Sequence, residues 1–281
     1  MVEKPFNETF MKNAKIIFWT GLVLCLGMGR SVQAAEISIP PPLASTVPLV
    51  DTDGDGIPDL WEIQVYRTDP NKMDTDGNGV SDRLEIVNGT NPLGEGLLKD
   101  SDFDKDGLSD RLELRFGSDP MNPDTDGDGH LDGVEVFAGF SPTSSSPNPL
   151  QKTIRIILKT QRLEQVVDGI PVASYLVSSG LPATPTPPGT YKVLNKSPKA
   201  WSTAAKLWMP YWMAFSTKGY GVHELPYWPS GYREGSNHLG HPASHGCVRL
   251  GIGPAKTLYD WTPIGTPIEI VKDSSRQLAQ R

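Results

Sequence analysis

Hydrophobic and polar positions are patterned differently in the two halves of this 281-residue chain. In the second half, apolar and β-branched residues crowd into short runs at 153–159, 163–167 and 170–177. Asp168-Gly169 between the last two runs is a hairpin turn signal, so the spacing predicts a strand pair. Residues 191–194, 212–216 and 267–271 read as further strands, 184–189 as a proline-rich turn, and 255–261 as a short helix. The pattern predicts a mostly β domain over 152–272, preceded by a Ser/Pro-rich linker at 143–151. In the first half, small apolar groups such as Leu60, Trp61, Ile63 and Leu112, Leu114, Phe116 follow acidic segments and predict short helices. Near the N-terminus, apolar residues 16–28 follow the basic run Met11-Lys12-Asn13-Ala14-Lys15 and precede Val32-Gln33-Ala34. That is the form of a signal peptide, expected over 1–34. The apolar stretch is short and broken by Gly21 and Gly27, so it is a poor membrane span.

Charge sharpens the division. Residues 36–150 hold 24 acids and 7 bases, a net of -17, whereas 151–281 hold 7 acids and 15 bases, a net of +8. Two halves of opposite sign imply two different tasks. Leu24 is too bulky for lipoprotein-type cleavage before Cys25, and cleavage after Ala34 leaves Cys247 as the one cysteine. A lone thiol in an exported protein has no internal partner and reads as reactive.

The acidic half repeats. Asp-x-Asp-x-(Asp/Asn)-Gly cores start at Asp51, Asp74, Asp102 and Asp124, and each closes with a glutamate eleven residues on, at Glu62, Glu85, Glu113 and Glu135. Short carboxylates at alternate positions suit Ca2+, which takes six to eight oxygens at about 2.3–2.6 Å. The ligand candidates are Asp51, Asp53, Asp55, Asp59 and Glu62 in the first copy, and Asp74, Asp76, Asn78, Asp82 and Glu85 in the second. The third supplies Asp102, Asp104, Asp106, Asp110 and Glu113, and the fourth Asp124, Asp126, Asp128, Asp132 and Glu135. Full EF-hands are not expected, because Pro48, Pro70 and Pro123 disfavour a helix leading into the loop. Residues 49–142 resemble bacterial thrombospondin type 3 repeats, and the resemblance implies stacked calcium-loop units with little core of their own. The alternative is an acidic solvated linker without an ion.

In the basic half, four of the five histidines, His223, His238, His241 and His245, fall between Gly221 and Gly251 together with Cys247. A thiol near imidazole ionises more readily and is a nucleophile, so the predicted chemistry is acyl transfer through a thioester. Ser244-His245-Gly246-Cys247-Val248-Arg249, with Leu239-Gly240, Gly221-Val222-His223 and Thr186-Pro187-Pro188-Gly189-Thr190-Tyr191, resembles the L,D-transpeptidase catalytic domain of the YkuD type. The resemblance implies a β-sandwich or barrel and a periplasmic or wall-associated enzyme. Such an enzyme takes a peptidoglycan tetrapeptide stem, releases D-Ala and passes the acyl group to an amine, with no catalytic cofactor. Cell-wall biogenesis and cell shape are the processes it would serve.

Within that resemblance Cys247 is the nucleophile and His223 the base. His245 either shapes the loop or is itself the base, Ser244 belongs to the motif, and Gly246 lets backbone amides approach an oxyanion. Arg249 is a candidate carboxylate clamp, and Trp212 and Tyr211, with Trp208, Tyr227 and Trp228, are candidate groove walls. His223 lies 24 residues before Cys247, with Glu224 where a small residue is common in the family, which points to an insertion around 227–237 that forms a lid. The acyl acceptor is open between another stem, a lipoprotein lysine and water, the last giving a carboxypeptidase. Rival readings are a zinc-dependent wall peptidase using His238, His241, His245 and Cys247, and a calcium-dependent wall-binding module. Nucleic acid is not expected as a partner, nor a span in the mature protein.

Overall fold

Each acidic loop ends in a helix that begins at its ninth residue. These are α1 (Asp59–Trp61), continued by a π-helical turn (Glu62–Tyr66), α2 (Asp82–Asn88), α3 (Asp110–Phe116) and α4 (Asp132–Ala138). An aspartate in each first turn suits the positive end of the helix dipole. Gly89, Gly117 and Gly139 then close α2, α3 and α4 in the left-handed conformation, with φ near 80°. The computed structural model describes residues 49–273, so the expected signal segment at 1–34 lies outside the described residues. Among the described residues no helix leads directly into the second, third or fourth loop, as Pro70 and Pro123 predicted for the second and fourth; Pro48, before the first, lies outside the described residues.

The repeats share apolar residues rather than each owning a core. Ile57, Trp61, Tyr66, Ile86 and Leu114 bury together, and the Tyr66 hydroxyl donates to the Asp110 carbonyl at 2.9 Å. Loop aspartates also join neighbouring repeats. Asp55 Oδ2 accepts from the Arg83 amide at 3.2 Å, and Asp106 Oδ2 from the Gly133 amide at 2.6 Å. Gly133 is required by this approach: a Cβ there would lie 2.8 Å from Leu108 N and 2.9 Å from Asp106 O. Gly133→Ala is therefore expected to destabilise the repeat region by about 1–3 kcal/mol, since rigid backbone cannot yield as a side chain does. A denaturant midpoint equal to that of the parent would contradict this packing.

The β region is one nine-stranded sheet in the order β4-β9-β1-β2-β3-β8-β7-β6-β5. Its strands are β1 (Lys152–Ile157), β2 (Arg162–Val167), β3 (Ile170–Ser178), β4 (Gly189–Lys192), β5 (Asn195–Ser202), β6 (Leu207–Ala214), β7 (Gly221–Glu224), β8 (Val248–Leu250) and β9 (Pro267–Val271). The two ends of that order, β4 and β5, are joined by only Val193 and Leu194. Two residues cannot span an open sheet, so the sheet curls until its edges approach. The Leu194 amide bonds the Ala214 carbonyl at 2.8 Å, and the Tyr191 ring meets Phe215 at 5.2 Å across the closure. Ile154, Ile156, Leu163, Val177, Met213, Val222, Val248, Leu250, Ile268 and Ile270 fill the interior, and Leu258 of α5 (Pro254–Trp261) joins them.

The predicted strands at 153–159, 163–167, 170–177 and 267–271, and the helix at 255–261, match β1, β2, β3, β9 and α5. Asp168 and Gly169 both take positive φ, as their hairpin requires. The predicted strand at 191–194 lies two residues earlier, as β4, and that at 212–216 is the end of the longer β6. The expected linker at 143–151 is a loop folded back on the end of α4: the Leu150 amide bonds the Gly139 carbonyl at 2.8 Å and the Ser141 amide the Asn148 carbonyl at 3.0 Å. From there the repeats touch the sheet, since Ile170 and Val172 of β3, together with Phe116, pack against Leu108, Leu112 and Val136.

Candidate functional site

Strand alternation sorts the residues around the cysteine motif onto one side of the sheet. β7 and β8 are parallel, with Val222 opposite Val248 and His223 opposite Arg249. Val222, Val248 and Leu250 face the core. His223, Arg249 and Cys247, two residues before Arg249, therefore share the opposite face. Trp212 of β6 joins them, its ring 5.8 Å from the His223 imidazole. Tyr211 goes the other way, packing on Tyr259 at 5.7 Å beside the core.

His223 is buried and its Nδ1 lies 2.6 Å from the Glu224 carbonyl. A carbonyl only accepts, so Nδ1 carries the hydrogen and Nε2 keeps a free lone pair. Burial holds the imidazole far below its ordinary value, at about 4; the charge of Arg249 adds to this and the Glu224 carbonyl opposes it. His223 is neutral at pH 7, as a base must be. Burial also pushes the Cys247 thiol up, while the Gly221 amide and Arg249 pull it back. The resting pair is therefore neutral thiol and neutral imidazole, and the early ionisation expected from thiol next to imidazole is offset by burial. Among the described residues Cys247 Sγ is hydrogen-bonded to the Gly219 carbonyl, at 3.9 Å, and not to His223.

Because the folded pKa of His223 lies below the unfolded one, the unfolded chain binds more protons between about 4 and 6.5. The stability that His223 contributes is thus complete above pH 6.5 and lost as pH falls through about 4, on the order of 3 kcal/mol in all. Urea midpoints across that window are expected to fall more steeply in the parent than in His223→Gln; parallel curves would contradict the burial argument.

The loop bearing the nucleophile candidate is held by its neighbours. Ser244, fully buried, donates to the Cys247 carbonyl at 2.5 Å and accepts from the Gly246 amide at 3.1 Å. Thr186, from the proline-rich turn, donates to the Gly246 carbonyl at 3.0 Å, and the Ser179 carbonyl accepts from both Ala243 and Ser244. Gln161 fixes Ser179 in turn, through its amide at 2.8 Å and its hydroxyl at 2.8 Å. Gly246 sits at φ 110° with the Tyr220 ring against it, where a Cβ would come within 2.4 Å of Cε1. His245 is exposed. Sequence reading missed Gln161, Ser179, Tyr220 and Glu234; only Thr186 lay within a quoted motif.

Arg249 is turned inward. Its Nη1 donates to Glu234 Oε1 at 2.8 Å and to the Ala243 carbonyl at 3.1 Å, and its Nε is buried without a partner. One arm of the expected carboxylate clamp is thus engaged by a buried carboxylate within the chain, while Nε is left without a partner. The segment after His223 is tied to β7 by Glu224 with Arg233 at 2.5 Å and to β8 by Glu234 with Arg249 at 2.8 Å. The zinc set is not assembled: among the described residues, clusters of three or more ligating side chains are Asp51-Asp53-Asp55, Asp102-Asp104-Asp106 and Asp124-Asp126-Asp128.

Those clusters belong to the repeats, and the rest of each loop fits a cation. Buried oxygens without partners occur at Asp53, Glu62, Glu85, Asp104, Asp110, Glu113, Asp126 and Glu135, with both oxygens of Glu113 in that state. Burial, then the neighbouring aspartates, raise Glu113 to about 10, and Glu62, Asp104 and Glu135 to about 7. Orphaned carboxylates repelling one another are what a divalent ion relieves. In the second loop the Asn78 amide nitrogen bridges Asp76 at 3.1 Å and Glu85 at 3.0 Å. Position nine has another task in three copies. Asp59, Asp82 and Asp132 each accept from the amide and hydroxyl of the loop's second residue, Thr52, Thr75 and Thr125, at 2.6–2.9 Å. They clasp the loop, whereas Asp110 spends one oxygen on the Phe103 amide and keeps the other free.

Residues 151–270 match the family described as the L,D-transpeptidase catalytic domain, YkuD. Residues 51–72, 74–93, 102–123 and 124–139 match the bacterial TSP3 repeat. A Bacillus licheniformis protein named as an L,D-transpeptidase YkuD is 26% identical over 146 residues, covering 50% of this chain and 79% of its own. Two solved L,D-transpeptidases also align. One from Mycobacterium smegmatis is 23% identical with a TM-score of 0.39, over 44% of this chain and 60% of its own. One from Stackebrandtia nassauensis is 29% identical with a TM-score of 0.38, over 44% of this chain and 56% of its own. The chain thus spans less than two thirds of the length of either solved relative.

Proposed function

Since the chain carries an L,D-transpeptidase catalytic domain of the YkuD type preceded by bacterial TSP3 repeats, we propose that it transfers peptidoglycan tetrapeptide stems to an amine through a Cys247 thioester. The observation that carries this reading is the β7–β8 register, which sets His223 and Cys247 on one face with the Nε2 lone pair of His223 free. Cys247 Sγ attacks the carbonyl carbon at the third stem residue while its proton passes to His223 Nε2. The C–N bond to D-Ala breaks, that proton leaves on the D-Ala amine, and a C–S bond remains. The acceptor amine then attacks the thioester, gives its proton to His223, and the C–S bond breaks as the new amide forms; the proton returns to sulfur. The neutral His223 and raised thiol support this order, because proton transfer then accompanies attack instead of preceding it. The Gly246 amide is already turned to Ser244, so the Cys247 amide is assigned to the developing oxyanion.

Ser244 and Gly246 shape the loop, exposed His245 lines its outer side, and Trp212 walls the stem site. Tyr211 supports β6 from beneath. The repeats hold Ca2+ through positions one, three, five and twelve; the ion supplies the positive charge that the buried carboxylates lack. Export to the periplasm or wall follows from the substrate, and the +8 half suits an anionic wall. The test is mass spectrometry of tetrapeptide muropeptides incubated with the protein and Ca2+, with and without an added lipoprotein-type lysine peptide. Cys247-dependent dimers, lysine adducts or shortened stems identify stem, lipoprotein or water as acceptor, and no product under any condition refutes acyl transfer.

A further inference from the structure

We propose that Glu234, in the inserted segment between β7 and β8, is a positioning residue that holds the Arg249 guanidinium beside Cys247 and His223 and neutralises it there. The inference rests on the reading of Cys247 and His223 as nucleophile and base. Arg249 is the cross-strand partner of His223 and lies two residues along the strand from Cys247, so its charge stands on the face both of them share. Its side chain is 11% exposed and that of Glu234 6%. A guanidinium so enclosed cannot shed its charge and acts strongly on its neighbours, because little water screens it. It favours thiolate on one side, partly offsetting the upward push of burial on Cys247, and disfavours imidazolium on the other, adding to the downward push of burial on His223.

Glu234 is built for this task. A single oxygen, Oε1, accepts from Arg249 Nη1 at 2.8 Å and from His238 Nδ1 at 2.8 Å. The groups facing Arg249 are Glu234, His223, Cys247 and the Ala243 carbonyl, with His238 behind Glu234; Glu224 is taken by Arg233. With Glu234 charged, the arginine field is largely cancelled and His223 retains enough basicity to accept the thiol proton. Without that charge, the same arginine makes the thiol easier to ionise and the imidazole harder to protonate. The insertion is thereby part of the reacting site's electrostatics, and not only a cover.

The experiment compares full-length parent, Glu234→Gln, Arg249→Met and the double variant, all with Ca2+. Alkylation at Cys247 is followed from pH 5 to 10 on its own peptide by mass spectrometry, which separates it from Cys25. Glu234→Gln is expected to shift the alkylation curve about one pH unit lower and to lower kcat about tenfold with little change in KM, and Glu234→Asp to restore part of both. In the Arg249→Met background, Glu234→Gln is expected to change neither, because the charge it would neutralise is gone. If Glu234→Gln alone does not fold, Glu234→Asp decides, since its shorter carboxylate keeps the charge but holds Arg249 less closely, and its alkylation curve is expected to lie below that of the parent. Superimposable curves for parent and Glu234→Gln, or a shift that persists without Arg249, overturn the proposal. An Arg249-dependent shift in a protein with no transferase activity supports the positioning role while refuting the acyl-transfer reading.

Discussion

Replacing Cys247 by alanine is expected to lower stem transfer by about 10³-fold or more, with no comparable loss of stability. A thiol is a far stronger acyl nucleophile than the buried neutral imidazole beside it, so its loss should not be made good by His223. Among the described residues its hydrogen-bond partners are weak ones, the Gly219 carbonyl at 3.9 Å and the Gly221 amide. The loop around it is fixed instead by Ser244, Thr186 and Ser179, none of which the substitution touches. Intact-mass spectrometry of the parent with a tetrapeptide stem should trap an acyl adduct with D-Ala released, and Cys247→Ala should form none. An adduct of unchanged yield in the variant would place the chemistry elsewhere and sink the reading.

Removing Ca2+ is the second large effect, and it should fall on the repeats. Each site held at about 100 times its Kd adds about 2.7 kcal/mol to the folded state, so four sites dominate a region with so little core. Chelation is expected to abolish the repeat unfolding transition in calorimetry and to enlarge the hydrodynamic radius, because the -17 segment then repels itself. Glu113 gives the sharper test. Both its oxygens are buried and unpartnered, and burial drives it up to about 10. Glu113→Gln should therefore be more stable than the parent in chelator and less stable in Ca2+. The substitution removes a buried charge in the first case and a ligand in the second. Identical melting with and without chelator, or the same sign of effect in both media, would refute an ion in the third loop.

The packing of Ile170 and Val172 against Leu108, Leu112 and Val136 gives the repeat region a physical hold on the β domain. Leu108 follows the ligand candidate Asp106, whose second oxygen also fixes the start of α4 at Gly133. Ordering of the third loop and docking on the β2–β3 hairpin thus involve the same few residues.

The local elements were legible wherever local physics dominates. Asp and Gly at fixed offsets dictate the loops, prolines forbid helices before them, and Asp168-Gly169 dictates its hairpin. β1, β2, β3 and β9 are buried enough to read as apolar runs, whereas β5 is largely polar and β7 and β8 are only three to four residues long. Ser244, His245, Gly246, Cys247 and His223 were visible as a motif with its spacing. What spacing leaves open is decided by three-dimensional neighbours. Spacing marks Arg249 as a charged group near Cys247 but not that Glu234, 15 residues earlier, lies against it, and marks Asp59 as a loop carboxylate but not that Thr52 donates to both its oxygens. The sequence by itself determined which residues can bind a cation and which can attack a carbonyl, because those capacities are properties of side-chain chemistry. The tertiary structure alone decided which charges are neutralised, which proton the base can take and where the repeats rest, because these depend on burial and on contacts between residues far apart in the chain.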